Sequence, residues 1–255
     1  MIWFTSDLHL GHNAVINMQH RPYKDAAEMN NALIHNINEC VKKNDKLYIL
    51  GDVSHHITPE ETNELVSRIN GRKYLLLGNH DVVGEPEICP YDASLFEFVG
   101  NYLKINDYGM NIIMMHYPML TWPKVTAGSV MLHGHIHSDK SYNEANKRYG
   151  IRRYDVGVDA NDYYPVSIET IKAFRDATPV SITSSKNLYI PGLWQPDPVR
   201  LLDFSSEHPD RILHVHMGSE ASVEILNWQE NDDILQRIVA DAHSLGSSEW
   251  CVTVK

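Results

Sequence analysis

Short apolar runs that end in polar clusters dominate the first half of the chain. Residues 2–4 lead into Thr5, Ser6 and Asp7, residues 47–50 into Gly51 and Asp52, and residues 74–77 into Gly78, Asn79, His80 and Asp81. Two more follow: residues 112–115 precede His116, and residues 130–132 precede His133, Gly134, His135, Ile136 and His137. Unbroken apolar runs this short read as buried strands, each delivering its polar cluster at its carboxyl end. Between them, Met29, Leu33, Ile37 and Val41 recur every four positions, which makes one apolar helix face over residues 26–41. A second helix is punctuated by Thr58 as N-cap, Pro59 in the first turn and Glu61 completing a capping box. Leu65 and Ile69 are expected on its inner face, with Gly71 beyond its end. Alternating strands and helices predict an α/β layer structure, in which ligands sit beyond the carboxyl ends of strands.

After Met110 the pattern becomes richer in strands. Residues 153–158 read as a strand and residues 168–174 as a short helix or strand. A break at Thr178 and Pro179 predicts a main domain over 1–178 and a small α/β extension over 179–255. In the extension, 190–198 is loop-like, 212–215 and 250–254 read as strands, and 234–245 reads as a helix ending at Gly246. Trp194, Trp228 and Trp250 are expected in its core. The stretch carries no functional signature; a substrate cap, a homo-oligomer contact and a partner-binding module all remain open.

Composition narrows the function classes. Of 255 residues, 43% are hydrophobic and 22% charged, as in an ordinary globular protein. No apolar run approaches the ~18 residues of a membrane span, and the N-terminus lacks the layout of a signal peptide. Cys40, Cys89 and Cys251 are odd in number and far apart, which fits a reducing, cytoplasmic setting better than a disulfide framework. A formal net charge of −11 argues against bulk nucleic-acid binding, yet leaves room for a small anionic substrate attracted by cations.

Histidine is abundant, at 15 residues, and its positions matter more than its number. Asp7 and His9, two apart at a strand end, are expected to point the same way and converge on one ion. Asp52 follows a glycine that favours a tight turn and leaves its carboxylate free to bridge two ions. Asn79 offers a neutral oxygen, and His116, His135 and His137 offer nitrogen. Such mixed N/O ligation suits Mn, Fe, Co, Ni or Zn better than Ca or Mg. Each pair alone is a common accident; their ordered succession after apolar strands is not. His12 and Arg21 are candidates to contact a substrate anion, Arg21 through a bidentate hydrogen bond. Asp159 is a candidate to support a ligand histidine. His214 and His216 lack flanking carboxylates and read as same-face strand residues, and Met110, Met114, Met115 and Met119 as core packing.

The order Asp7-Leu8-His9, Gly51-Asp52, Gly78-Asn79-His80-Asp81, His116 and Gly134-His135-Ile136-His137 resembles the calcineurin-like metallophosphoesterase superfamily over roughly residues 1–176. The opening around Phe4 to His12, with Arg21-Pro22-Tyr23, and Val156-Gly157-Val158-Asp159 with Tyr164-Pro165-Val166-Ser167, resemble a bacterial and phage subgroup of small phosphoesterases. The resemblance implies a β-sandwich flanked by helices, a four-layer αββα fold, with a two-metal site at the strand ends. It implies that Asp7, His9, Asp52 and His137 hold one ion and Asp52, Asn79, His116 and His135 the other, with His80 near the leaving group. It further implies hydrolysis of a small phosphorylated substrate by a hydroxide shared between two ions, manganese being favoured. A phosphodiesterase acting on a nucleotide-like substrate leads; a phosphomonoesterase, a nuclease and a non-catalytic scaffold are the alternatives. The serine/threonine phosphatases of the superfamily carry an Asp and an Arg where this chain has His55 and His56, so protein phosphatase activity is disfavoured.

Overall fold

The computed structural model describes residues 1–84, 88–120, 122–148 and 150–178, together with strand segments 187–190, 213–216, 221–225 and 251–252. Two compact units divide the chain, Met1–Val180 and Ser181–Lys255. Among the described residues no helix is long and apolar enough to cross a membrane.

The first unit begins with β1 (Ile2–Thr5), α1 (Asn13–Met18), α2 (Ala26–Cys40), β2 (Lys46–Ile49), α3 (Pro59–Ser67), β3 (Arg72–Leu76) and β4 (Phe98–Gly100). It continues with β5 (Tyr102–Asp107), β6 (Met110–Met115), β7 (Val130–His133), α4 (Lys140–Arg148), β8 (Arg153–Asp155), β9 (Val166–Ser167) and α5 (Ile168–Ala177). One sheet has the order β4-β3-β2-β1-β9, with β1 to β4 parallel and β9 antiparallel. The other has the order β5-β6-β7-β8, with β6, β7 and β8 parallel. Their inner faces share a core: Phe4, Tyr48, Leu50 and Leu76 from the first meet Ile112, Met114, Val130 and Leu132 from the second. The helices α1 to α3 cover the outer face of the first sheet, through Met29, Leu33, Ile37 and Val66 against Leu47, Ile49 and Leu75. The fold is the expected α/β sandwich flanked by helices. All the parallel strands that precede the polar clusters end on the same side, which is what positions the site.

Local chemistry explains the helix starts. The Asp25 carboxylate accepts the Glu28 N–H at 2.8 Å and caps α2. The capping box of α3 forms as expected, with Thr58 Oγ1 accepting from Glu61 N–H at 3.2 Å and Glu61 accepting from Thr58 N–H at 2.8 Å. The helix stops at Ser67, short of Ile69; Thr62 and Val66 are its buried residues, and Leu65 packs half-buried against the same core as expected. Ile69 is buried beyond the helix, where the chain turns through Gly71 at φ +95° into β3. The segment 168–174 is helical, within α5, capped by Ser167 accepting from Thr170 N–H at 3.1 Å. Met110 and Met114 lie in the inter-sheet core, and Met115 and Met119 pack beside Ile113, Trp122 and Met131.

In the second unit, β10 (Asn187–Ile190), β11 (Leu213–His216), β12 (Ala221–Ile225) and β13 (Cys251–Val252) form an antiparallel sheet in the order β11-β12-β10-β13. The helix expected over 234–245 and Trp194, Trp228 and Trp250 lie outside the described residues.

Candidate metal centre

The clusters that follow β1, β2, β3, β6 and β7 converge on one patch, buried at Asp7, His9, Asp52 and His116 and open at Asn79. Three groups of side chains there bring their ligand atoms within 4.8 Å of one another: Asp7, His9 and His137; His9, Asp52 and His80; and Asp7, Asp52 and His116. The Oδ2 atom of Asp52 lies 3.5 Å from His9 Nε2 and 3.5 Å from His116 Nε2, between two imidazoles that come from different sheets. Asn79 Oδ1 lies 3.1 Å from His116 Nε2 and 3.0 Å from His135 Nδ1. His9 Nε2 and His137 Nε2 are 3.2 Å apart. The seven side chains expected as metal ligands are thus gathered together.

The donor chemistry of this patch fits cations. His116 donates from Nδ1 to the Leu50 carbonyl at 2.8 Å, and His137 donates from Nδ1 to Asp159 Oδ2 at 2.7 Å. Each ring, once neutral, therefore turns a bare Nε2 inward, where His116 meets the Asn79 oxygen and the Asp52 carboxylate. Burial, with neighbouring imidazoles, lowers the pKa of His9 to about 2. Burial likewise lowers His116 and His135. His137 is raised: burial alone would lower it, but the Asp159 hydrogen bond and the Asp7 charge outweigh that. Burial also pushes the Asp7 carboxyl up to about 8. Lone pairs facing lone pairs around two buried carboxylates are costly without a positive charge among them, and divalent ions would supply it.

The loops achieve this with unusual backbone. Asp7 (φ 56°), His9 (φ 49°), Asp52 (φ 53°), His135 (φ 74°) and His137 (φ 46°) all adopt the left-handed conformation. This corrects the strand-based expectation for Asp7 and His9: β1 ends at Thr5, and the two side chains converge because the backbone coils, not because it is extended. Left-handed non-glycine residues cost about 1–3 kcal/mol each and concentrate at functional sites. Glycines permit the close packing. A Cβ on Gly134 would collide with Ser6 Oγ and the Asp7 carboxylate, and one on Gly78 would collide with the Asp52 carboxylate.

Two buried groups hold these loops. Asp81 accepts N–H groups from Asp52 (2.7 Å), Val53 (2.9 Å) and Gly78 (2.9 Å), and the Tyr91 hydroxyl at 2.9 Å. It ties the loop after β2 to the loop after β3; its place directly after His80 was the signal that could have exposed this role. Arg21 corrects a second expectation. Its side chain is fully buried, and it donates Nε and Nη2 to Asp159 at 2.8 Å each. Its Nη2 also donates to the Asp7 carbonyl at 2.8 Å, and Nη1 to the Leu8 carbonyl at 3.1 Å and toward Met29 Sδ at 3.4 Å. With its donors committed to the protein, Arg21 does not reach a substrate; it clamps the Asp7 loop and, through Asp159, the His137 ring.

His80 stands at the more open side, with its ring Nε2 4.0 Å from Asp52 Oδ2 and its backbone N–H donating to Asp52 Oδ1 at 3.0 Å. His55 faces the site, its ring centroid 4.1 Å from that of His80. His12 is buried, with Nδ1 3.4 Å from His9 Nδ1.

The family model for calcineurin-like phosphoesterases matches residues 1–245, farther than the motifs alone reach. Uncharacterized protein MJ1445 of Methanocaldococcus jannaschii is 30% identical over 174 residues, covering 67% of this chain and 88% of its own. The Gene 66 protein of Mycobacterium phage L5 is 30% identical over 185 residues, covering 62% of this chain and 86% of its own. Among solved structures, the protein of unknown function AQ665 from Aquifex aeolicus superposes with a TM-score of 0.53 at 27% identity, covering 68% of this chain and 98% of that one. With the strand-end motifs gathered into one site, this chain belongs to the calcineurin-like phosphoesterase family, whose members hydrolyse phosphoesters with divalent metal ions.

Proposed function

We propose that this chain is a two-metal phosphodiesterase acting on a small, nucleotide-like substrate, with manganese as the favoured ion. The observation that carries this reading is the position of Asp52 Oδ2, 3.5 Å from both His9 Nε2 and His116 Nε2, where one carboxylate can serve two ions. Asp7, His9 and His137 complete one donor set with it; Asn79, His116 and His135 complete the other. When bound, the ions supply Lewis-acid polarisation of a phosphoryl oxygen and a water acidic enough to attack near neutral pH.

The chain's own residues do the rest. The Leu50 carbonyl and Asp159 fix the tautomers of His116 and His137, so that both rings present a bare nitrogen. Arg21 and Asp81 hold the loops from behind, so the donors are in place before substrate arrives. His80, at the open side, is the residue positioned to donate a hydrogen bond to the leaving oxygen. The formal charge of −11 supports a small substrate over a nucleic-acid polymer, and the widely spaced cysteines support a cytoplasmic setting.

A panel tests this: bis-nitrophenyl phosphate, nitrophenyl phosphate, cyclic nucleotides and short single-stranded DNA, each with Mn and after chelation. Metal-dependent cleavage of the diester and of a cyclic nucleotide is expected, with loss of turnover in Asp52→Asn and a lowered kcat in His80→Ala. Cleavage of the monoester alone overturns the diesterase reading, efficient DNA cleavage favours a nuclease, and no metal-dependent turnover favours a scaffold.

A further inference from the structure

Beside the paired centre lies a second cluster of imidazoles that the mechanism does not use. His12, His55 and His56 each offer a ring nitrogen, and these nitrogens lie within 4.8 Å of one another. The His55 and His56 ring centroids are 3.9 Å apart, those of His12 and His55 4.7 Å, and those of His12 and His56 5.1 Å. Backbone hydrogen bonds between two loops bring them together. Leu10 N–H donates to the Val53 carbonyl and His55 N–H to the Leu10 carbonyl, each at 3.0 Å, so the loops carrying His12 and His55 are laced side by side. His56 is held left-handed at φ 63° although it belongs to neither donor set of the paired centre.

We propose that His12, His55 and His56 form a third divalent-metal site, selective for zinc-like ions, at the edge of the paired centre. Three imidazoles around one ion, with a fourth position open, is an established arrangement for zinc. Zn–N bonds of about 2.0–2.1 Å place tetrahedral ligands roughly 3.3 Å apart, within reach of small ring rotations from the observed cluster. The all-nitrogen donor set favours Zn, Co or Ni over Mn or Mg, whereas the carboxylate-bearing paired centre accepts Mn readily.

One contact in particular couples the two sites. His12 Nδ1 lies 3.4 Å from His9 Nδ1. An ion on His9 Nε2 leaves the His9 proton on Nδ1; with His12 Nδ1 turned toward it, a third ion would bind His12 through Nε2 and leave its proton on Nδ1 as well, so that two N–H groups would face each other. Filling the paired centre therefore weakens the third site, by a factor on the order of tenfold, and the third ion binds last.

The test counts ions on the full chain by equilibrium dialysis against Zn, followed by elemental mass spectrometry. The wild type is expected to bind one more ion, and more weakly, than His56→Gly or His55→Gln; glycine suits the left-handed backbone at 56. Circular dichroism checks that the variants fold. In the wild type itself, Zn at the third-site concentration is expected to protect His56 from carbethoxylation, read by peptide mass spectrometry; this arm does not depend on a variant folding. Equal counts in wild type and both variants, or His56 modified equally with and without Zn, overturns the proposal. The proposal rests on the difference of one ion and not on the total. A wild-type total of one falling to none would sink the two-metal reading while leaving this site intact.

Discussion

Replacing Arg21 separates a clamp from a substrate contact. Its guanidinium is fully buried and pairs with Asp159 at 2.8 Å through both Nε and Nη2, while Nη1 and Nη2 reach the carbonyls of Leu8 and Asp7. Arg21→Met removes one partner of a buried ion pair, leaving the Asp159 carboxylate with His137 alone and two carbonyls without the guanidinium donors. Breaking such a pair costs about 3–5 kcal/mol, which lowers the melting temperature of a unit this size by roughly 10 °C. The His137 ring loses part of its support, so the metal Kd should rise about 10–100-fold. Arg21→Lys keeps the charge but offers three donors in place of the fork, so it should recover only part of both losses. Differential scanning fluorimetry, with and without Mn, and calorimetric metal titration measure these quantities. Unchanged melting temperature and metal affinity, with KM alone rising in both variants, would refute the clamp and restore Arg21 to the substrate.

Metal binding should release protons in a pH-dependent way. The Asp7 carboxyl, raised by burial to about 8, holds its proton at neutral pH in the metal-free protein and must lose it to become a ligand, so affinity rises with pH up to about 8. Calorimetry in buffers of different ionisation enthalpy should show about one proton released through Asp7 at pH 6.5 and little above pH 9, with the raised His137 adding in the same direction and His9, lowered to about 2, adding none. A proton count independent of pH would contradict this. Asp81→Asn turns an NH2 group toward N–H donors now held at 2.7–2.9 Å, and should cost about 2–4 kcal/mol by denaturant melts along with most of the activity. Gly134→Ala forces its Cβ against Ser6 and Asp7, and should destabilise by about 1–3 kcal/mol while weakening Mn binding; an unaffected Kd would show that the loop gives way freely.

Much of this was legible in the sequence because burial and ligation leave a periodic signature. The apolar runs before Asp7, Asp52, Asn79, His116 and His135 became the parallel strands β1, β2, β3, β6 and β7, and Thr58 with Glu61 marked the start of α3. The mode of convergence was hidden. Left-handed backbone at Asp7, His9, Asp52, His135 and His137 depends on tertiary contacts such as Asp7 accepting from His135 N–H at 3.0 Å, across 128 residues of chain. Arg21 misled for a related reason: a basic residue in a loop looks free for an anion until Asp159, 138 residues away, is seen to claim it. His55 could be read from the sequence as a pocket-facing or an exposed loop residue, but its meeting with His12 and His56 could not, since that requires two loops to pair.

The measurement closest to the central claim is anomalous diffraction from crystals of the Mn-loaded protein, collected at the metal edge. Two peaks about 3.5–4 Å apart are expected, with Asp52 Oδ2 touching both, Asp7, His9 and His137 around one, and Asn79, His116 and His135 around the other. A single peak, or two that do not share Asp52, would contradict that claim.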